Sequence, residues 1–266
     1  MKRYKIGMAI WLATVLIIVL AAAKRLTFTI HRELVVESQR LKLIRATRRH
    51  DLQAVKRLLN AGADANAIVY VVEHRTDWTG ILKIFGHRYD IPEASALTIA
   101  TKRPIYNPNS VTDPNRPLPV DIEIAQELLA HGANANYRDG YGSSAINYAA
   151  AWCDCRLVNL LLSHGADVNS LGNSGETPLM DASNEGDVEV VKCLLDHGAR
   201  VDAQDYEGLT ALMDAAKRPD AGIVITLLAH NANTQLKDTN GWTAETIARK
   251  NGQAMIANML HASGKK

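Results

Sequence analysis

Gly-Ala pairs recur at Gly132, Gly165 and Gly198, each 33 residues after the last, and Asn231-Ala232 continues the step. Ser144, Thr177, Thr210 and Thr243 share that spacing, as do Gly142, Gly175, Gly208 and Gly241. A period this strict constrains the fold more than any composition could. Each unit is one supersecondary element that cannot bury its apolar face alone, so neighbours must stack. The unit from Ser174 to Asp205 reads SGETPLMDASNEGDVEVVKCLLDHGARVDAQD. Thr177 is placed to cap a first helix, with Pro178 at its first position, where a missing N–H costs nothing. Val190, Val191, Leu194 and Leu195 form the stripe of a buried second helix. Gly198 ends that helix in the left-handed conformation that other residues resist.

Adjoining units read YGSSAINYAAAWCDCRLVNLLLSHGADVNS and EGLTALMDAAKRPDAGIVITLLAHNANTQ. The pattern resembles the ankyrin repeat, whose signature runs G-x-T-P-L-H-x-A-A, then V-V-x-L-L-x-x-G-A-D-V-N. Four consecutive units carry it in phase, and two more fit once insertions are allowed. Leu41–Ala67 contains AVKRLLNAGADANA, and Ala94–Tyr137 contains ASALTIA and IAQELLAHGANAN. The resemblance implies an all-α solenoid of about six helix-turn-helix units, spanning 41–67, 93–139, 140–172, 173–205, 206–238 and 239–266, the last a capping repeat. An aromatic content of only 5% beside 47% hydrophobic residues agrees with small aliphatic packing between helices. The family's His in TPLH ties adjacent turns together. Asn147 can do part of that here, whereas Met180 and Met213 cannot, so softer coupling is expected at those two.

Two insertions interrupt the period. Segment 68–92 reads IVYVVEHRTDWTGILKIFGHRYDIP, with β-branched arms around a polar centre, and is expected to form a long β-hairpin finger. Its aromatics, Tyr70, Trp78, Phe85 and Tyr89, either tuck against the stack or touch a partner. Segment 103–119 holds five of the eight prolines and is expected to be a surface loop between the helices of the second unit.

Charge is uneven. Met1–His50 carries 11 Lys and Arg against 2 acidic residues, while the remainder carries 19 against 26. After the cationic residues 1–5, segment 6–23 has no charge, and Lys24 and Arg25 close it. At ~1.5 Å per residue the run spans about 27 Å, near the ~30 Å of a bilayer core. It is expected to be a transmembrane anchor, with a cleaved signal peptide ending at Ala21-Ala22-Ala23 as the rival. The implied localisation is a single-pass membrane protein. Lys and Arg flank both sides of the run, so their count leaves orientation open. A short cationic tail kept in the cytoplasm favours extracytoplasmic repeats. Segment 24–40 is expected to be a basic juxtamembrane helix, and Thr27–His50 as a whole a solvated linker that rests on anionic headgroups or shields the end of the stack.

Several patterns tempt towards chemistry. His131, His164, His197 and His230 recur every 33 residues. They sit one helix pair apart, ~8–10 Å, whereas one zinc needs its ligands at about 2.0–2.1 Å. They are expected to favour helix C-termini instead. Gly140–Ala145 matches a dinucleotide fingerprint in letters alone, without the strand and crossover that give it meaning. Cys153, Cys155 and Cys193 are expected to be structural thiols. No nucleophile elbow, phosphate loop or carboxylate pair stands outside the repeat logic. No catalytic residue, cofactor or metal is expected, and the chain is not expected to be an enzyme.

Specificity in a solenoid resides at turn and first-helix positions that the repeat leaves free. Here these are Tyr141, Trp152, Glu176, Asn184, Glu185, Tyr206, Glu207, Leu209, Asp214, Lys217, Arg218 and Trp242. Acidic and aromatic types dominate, which suits a basic or neutral protein partner better than nucleic acid. The function expected is a membrane-anchored protein-interaction scaffold that binds or restrains a protein partner, with contact to the lipid bilayer through the N-terminal helix. The alternatives are an extracytoplasmic inhibitor or immunity-type protein neutralising a toxin or enzyme, and an accessory factor of a membrane complex. No nucleic acid or small-molecule substrate is expected.

Overall fold

Short amphipathic helices with one apolar stripe each are stable only in pairs and rows, and that is how the chain is arranged. A computed structural model describes residues 38–70, 92–101, 119–151 and 154–264. The described helices form six pairs: α1 (38–48) with α2 (Leu52–Asn60), α3 (Ala96–Thr101) with α4 (Pro119–Ala130), α5 (Ala145–Ala151) with α6 (Cys155–Ser163), α7 (Pro178–Glu185) with α8 (Val188–Asp196), α9 (Ala211–Ala216) with α10 (Gly222–Ala229), and α11 (Ala244–Lys250) with α12 (Ala254–Ser263). First helices α3, α5, α7, α9 and α11 pack in succession, as do second helices α2, α4, α6, α8 and α10. One apolar cluster runs between the two rows from Leu43 to Leu260.

Local chemistry sets the helix ends. Thr177, Thr210 and Thr243 each accept the backbone N–H three residues on, from Met180, Met213 and Thr246, at 3.3 Å. Such a cap satisfies one of the donors that the first turn leaves without an intrahelical partner. Asp51, Asp154 and Asp187 do the same for α2, α6 and α8. After α8 the chain turns at Gly198 with φ 85°, and after α10 Asn231 holds the same left-handed place at φ 62°.

Side chains sew successive repeats together. Asn66, Asn136 and Asn169 each donate to the carbonyl of a glycine in the following repeat, Gly132, Gly165 and Gly198, at 3.1, 2.8 and 3.4 Å. Their own carbonyls accept the N–H of Asn134, Asp167 and Arg200 at 2.7–2.8 Å. Asn147 reaches the next unit as expected. Its amide donates to Asp181 Oδ2 of that unit at 3.3 Å, and to the Ser170 carbonyl of its own unit at 3.5 Å. At Met180 the sulfur instead accepts the N–H of Thr177, inside its own repeat.

Two short strands, β1 (Ile68–Tyr70) and β2 (Pro92–Ser95), pair antiparallel, with Ile68 opposite Ser95 and an irregularity after Val69. Residues 71–91 of the expected finger, most of the proline-rich loop, and the expected anchor 6–23 lie outside the described residues. The single-pass membrane localisation is corrected here: among the described residues no helix is long and apolar enough to cross a membrane. The described helices span six to twelve residues, against about 20 for a crossing, and pack most of their apolar side chains into the core.

Candidate functional site

A 33-residue period lines up equivalent side chains in columns, one per repeat. Tyr148, Asp181 and Asp214 form one such column on α5, α7 and α9. The Tyr148 hydroxyl donates to Asp139 Oδ2 at 2.6 Å. Burial, then that carboxylate, pushes its phenol above the ordinary range. Burial pushes the Asp181 carboxyl up to about 7, against the hydrogen bond from Asn147, and the charges of Glu176, Asp214 and Glu185 add to the rise. Asp214 is also raised by burial, although Lys217 Nζ stands 2.7 Å away and pulls the other way. Glu176, Glu185 and Asp214 thus add negative charge around Asp181, with Lys217 opposing it at Asp214.

The turns above this row carry the aromatics. Tyr141 and Tyr206 are 64% and 72% exposed. The Tyr206 N–H donates to the Ser174 carbonyl at 3.0 Å, and its ring lies on Gly175, where a Cβ would stand 2.8 Å from it. Only glycine lets the ring settle there. Glu176 turns back to accept the Ser174 N–H at 2.8 Å, while Glu207 is exposed. Asn184 and Glu185 are exposed at the end of α7.

Other expected contact residues are already engaged. Leu209 and Trp242 pack, half-buried, against the core, and Lys250 Nζ sits 3.8 Å over the Trp242 ring. Lys217 pairs with Asp214, and Arg218 donates to the Asn184 carbonyl while its guanidinium covers Gly186. Tyr70 lies in β1, opposite Pro92. Trp78, Phe85, Tyr89 and Trp152 lie outside the described residues. Sequence reasoning missed Asp181, although it shares a column with Asp214, which it did single out.

Family models described as ankyrin repeats match twice: three copies over residues 120–205, and many copies over residues 194–248. The chain is an ankyrin-repeat protein. No curated protein matches it. Ankyrin repeats generally mediate protein–protein interaction and are typically non-catalytic scaffolds.

The ankyrin frame also accounts for the histidine ladder. Nδ1 of His131, His164, His197 and His230 lies 2.8–2.9 Å from the carbonyl four residues earlier. Each ring thereby closes the end of its own second helix, which assigns the proton to Nδ1. Among the described residues no three His, Cys, Asp or Glu side chains group as metal ligands. Cys155 and Cys193 meet across α6 and α8 through Asn159, whose amide donates to Cys155 Sγ and whose carbonyl accepts from Cys193, each at 3.3 Å. Burial, followed by the contact with Cys155, pushes the Cys193 thiol up to about 12.

Proposed function

We propose that this ankyrin-repeat protein is an interaction scaffold that binds or restrains a protein partner along its first-helix and turn face, and that the partner presents basic side chains there. The observation that carries the proposal is the column pairing Asp181 with Asp214 beneath exposed Tyr206, with Glu176, Glu185 and Glu207 around it. Burial and the charges of Glu176, Asp214 and Glu185 disfavour ionised Asp181, a penalty that an incoming cation relieves, and exposed tyrosines supply the apolar anchor area of binding hot spots. Opposite charge at such a face speeds encounter and suppresses acidic competitors. The hairpin finger with Trp78, Phe85 and Tyr89 enters the proposal from the sequence alone.

Benzoylphenylalanine, a photo-cross-linking residue, substituted at Tyr141 or Tyr206 of the full chain tests this. Illumination in cells is expected to join it to one predominant protein through a Lys- or Arg-rich peptide. The reversals Glu176→Lys and Glu207→Lys are expected to abolish that product. Cross-linking from Ile225 or Met255, exposed on second helices α10 and α12, with none from the tyrosines, would overturn the assignment of the face.

A further inference from the structure

A second charged surface, of opposite sign, lies on the first helix pair. Lys42, Arg45 and Arg49 stand at i, i+3 and i+7 on α1, so they share one face of that helix. Arg57 of α2 faces them across an open groove of about 480 Å³, floored by Ala46, Ala54 and Leu58. All four cations are exposed, and Lys42, Arg45 and Arg49 make no ion pair with a carboxylate among the described residues. The one acid on the rim, Asp51, is engaged in capping α2, where it accepts the Ala54 N–H at 2.9 Å. Lys56, one step round α2, turns instead to Glu127 of α4 at 3.2 Å. The groove therefore opens on the side of the first helix pair that no later repeat covers.

Four cations around one small apolar floor repel one another, and nothing in the packing of the repeats requires them. A compact multivalent anion removes that repulsion. Arg forks match phosphate oxygens in pairs, and a volume near 500 Å³ is within the range of small-ligand sites. The first 37 residues carry six Lys and Arg against two Glu, so their net charge adds to that of the groove and does not offset it. We infer that the groove between α1 and α2 binds a small soluble ligand carrying two or more phosphate groups, held by Lys42, Arg45, Arg49 and Arg57. This site is independent of the acidic face proposed above for a protein partner.

The test is calorimetric titration of the full-length chain with inorganic tripolyphosphate. Parallel arms use inorganic monophosphate and phosphatidylcholine vesicles with and without phosphatidylglycerol. Saturable one-to-one binding of tripolyphosphate is expected, weakened at least tenfold by the pair Arg45→Gln and Arg49→Gln. Binding should be unchanged by Arg156→Gln, an exposed cation on α6. Both groove positions are exposed, and an unaltered circular dichroism spectrum keeps a loss of binding from being a loss of fold. Lys42→Glu is the second variant and should weaken binding by a similar factor. No saturable binding, or equal binding in the double variant, would overturn the inference. So would binding to phosphatidylglycerol vesicles without response to free tripolyphosphate, which would assign the phosphate to a headgroup. Self-association abolished by the same two substitutions would seat a second copy's acidic face in the groove and equally overturn it.

Discussion

The side-chain carbonyl of Asn136 accepts the backbone N–H of Asp167 at 2.7 Å, while its amide donates to the Gly165 carbonyl at 2.8 Å. One residue thus satisfies a donor and an acceptor of the following turn, and Asn66 and Asn169 repeat the arrangement. At the next rung Asp202 accepts the Asn233 N–H at 2.8 Å but, as a carboxylate, has no amide with which to donate. Asn136→Ala should cost about 1–2 kcal/mol, because it leaves two backbone groups to water that reaches them imperfectly. For a chain of this size that is a fall of roughly 2–6 °C in melting temperature. Asp202→Asn should restore the missing donor and raise stability by about 0.5 kcal/mol. Equal melting points for the wild type and Asn136→Ala would show that the ladder contributes nothing.

Asn231 and Gly198 occupy the same left-handed corner in successive repeats, at φ 62° and 85°. A Cβ on Gly198 would meet no atom within 4 Å, so any penalty there is one of backbone conformation alone. Gly198→Ala should therefore destabilise by about 1 kcal/mol, and Asn231→Gly should stabilise by about 0.5–1 kcal/mol. Denaturant titration reads both. Changes of the same sign would reject backbone strain as the cause.

The helix pairs were legible because their signals are local. Thr177, Pro178 and Gly198 each act within a few residues of themselves, and the 33-residue period repeats the message. What a single unit does not carry is depth. Leu209 and Trp242 look like free turn positions, yet neighbouring repeats half-bury them, and Lys250 arrives over the Trp242 ring from the end of its own helix. Asp181 went unnoticed because its environment comes from α5 and α9 as well as its own α7. The basic groove reads in sequence as a solvated linker helix, since Arg57 joins Lys42, Arg45 and Arg49 only when α2 folds back on α1. The expectation of a membrane protein rested on residues 6–23 alone, and the described helices, short and one-sided, offer it no support.

Cys155 and Cys193 share Asn159 but differ in access: Cys155 is partly exposed and Cys193 is buried. Thiolate is the reactive form, and a thiol pushed up to about 12 supplies almost none at neutral pH. Iodoacetamide at pH 7.5 should alkylate Cys155 at least tenfold faster than Cys193, as read by peptide mass spectrometry, which also separates Cys153. Comparable rates would mean that α8 opens readily or that the burial is not maintained in solution.

Asp181 makes stability depend on pH in a direction opposite to the usual carboxylate. Its folded-state pKa of about 7 lies above the ~4 of an unfolded aspartate. Between those values the folded chain binds more protons than the unfolded one, so stability falls as pH rises from about 4 to about 7 and levels off above. Asp181→Asn removes the charge and keeps an acceptor for Asn147, whose amide lies 3.3 Å from Oδ2. The variant should melt higher than the wild type at pH 8, and the gap should close progressively as the pH is lowered through 7 towards 4. Other titrating groups cancel in that difference, because both proteins carry them. A gap independent of pH would mean that Asp181 titrates as it does in the unfolded chain and that its burial does not disfavour the charged form.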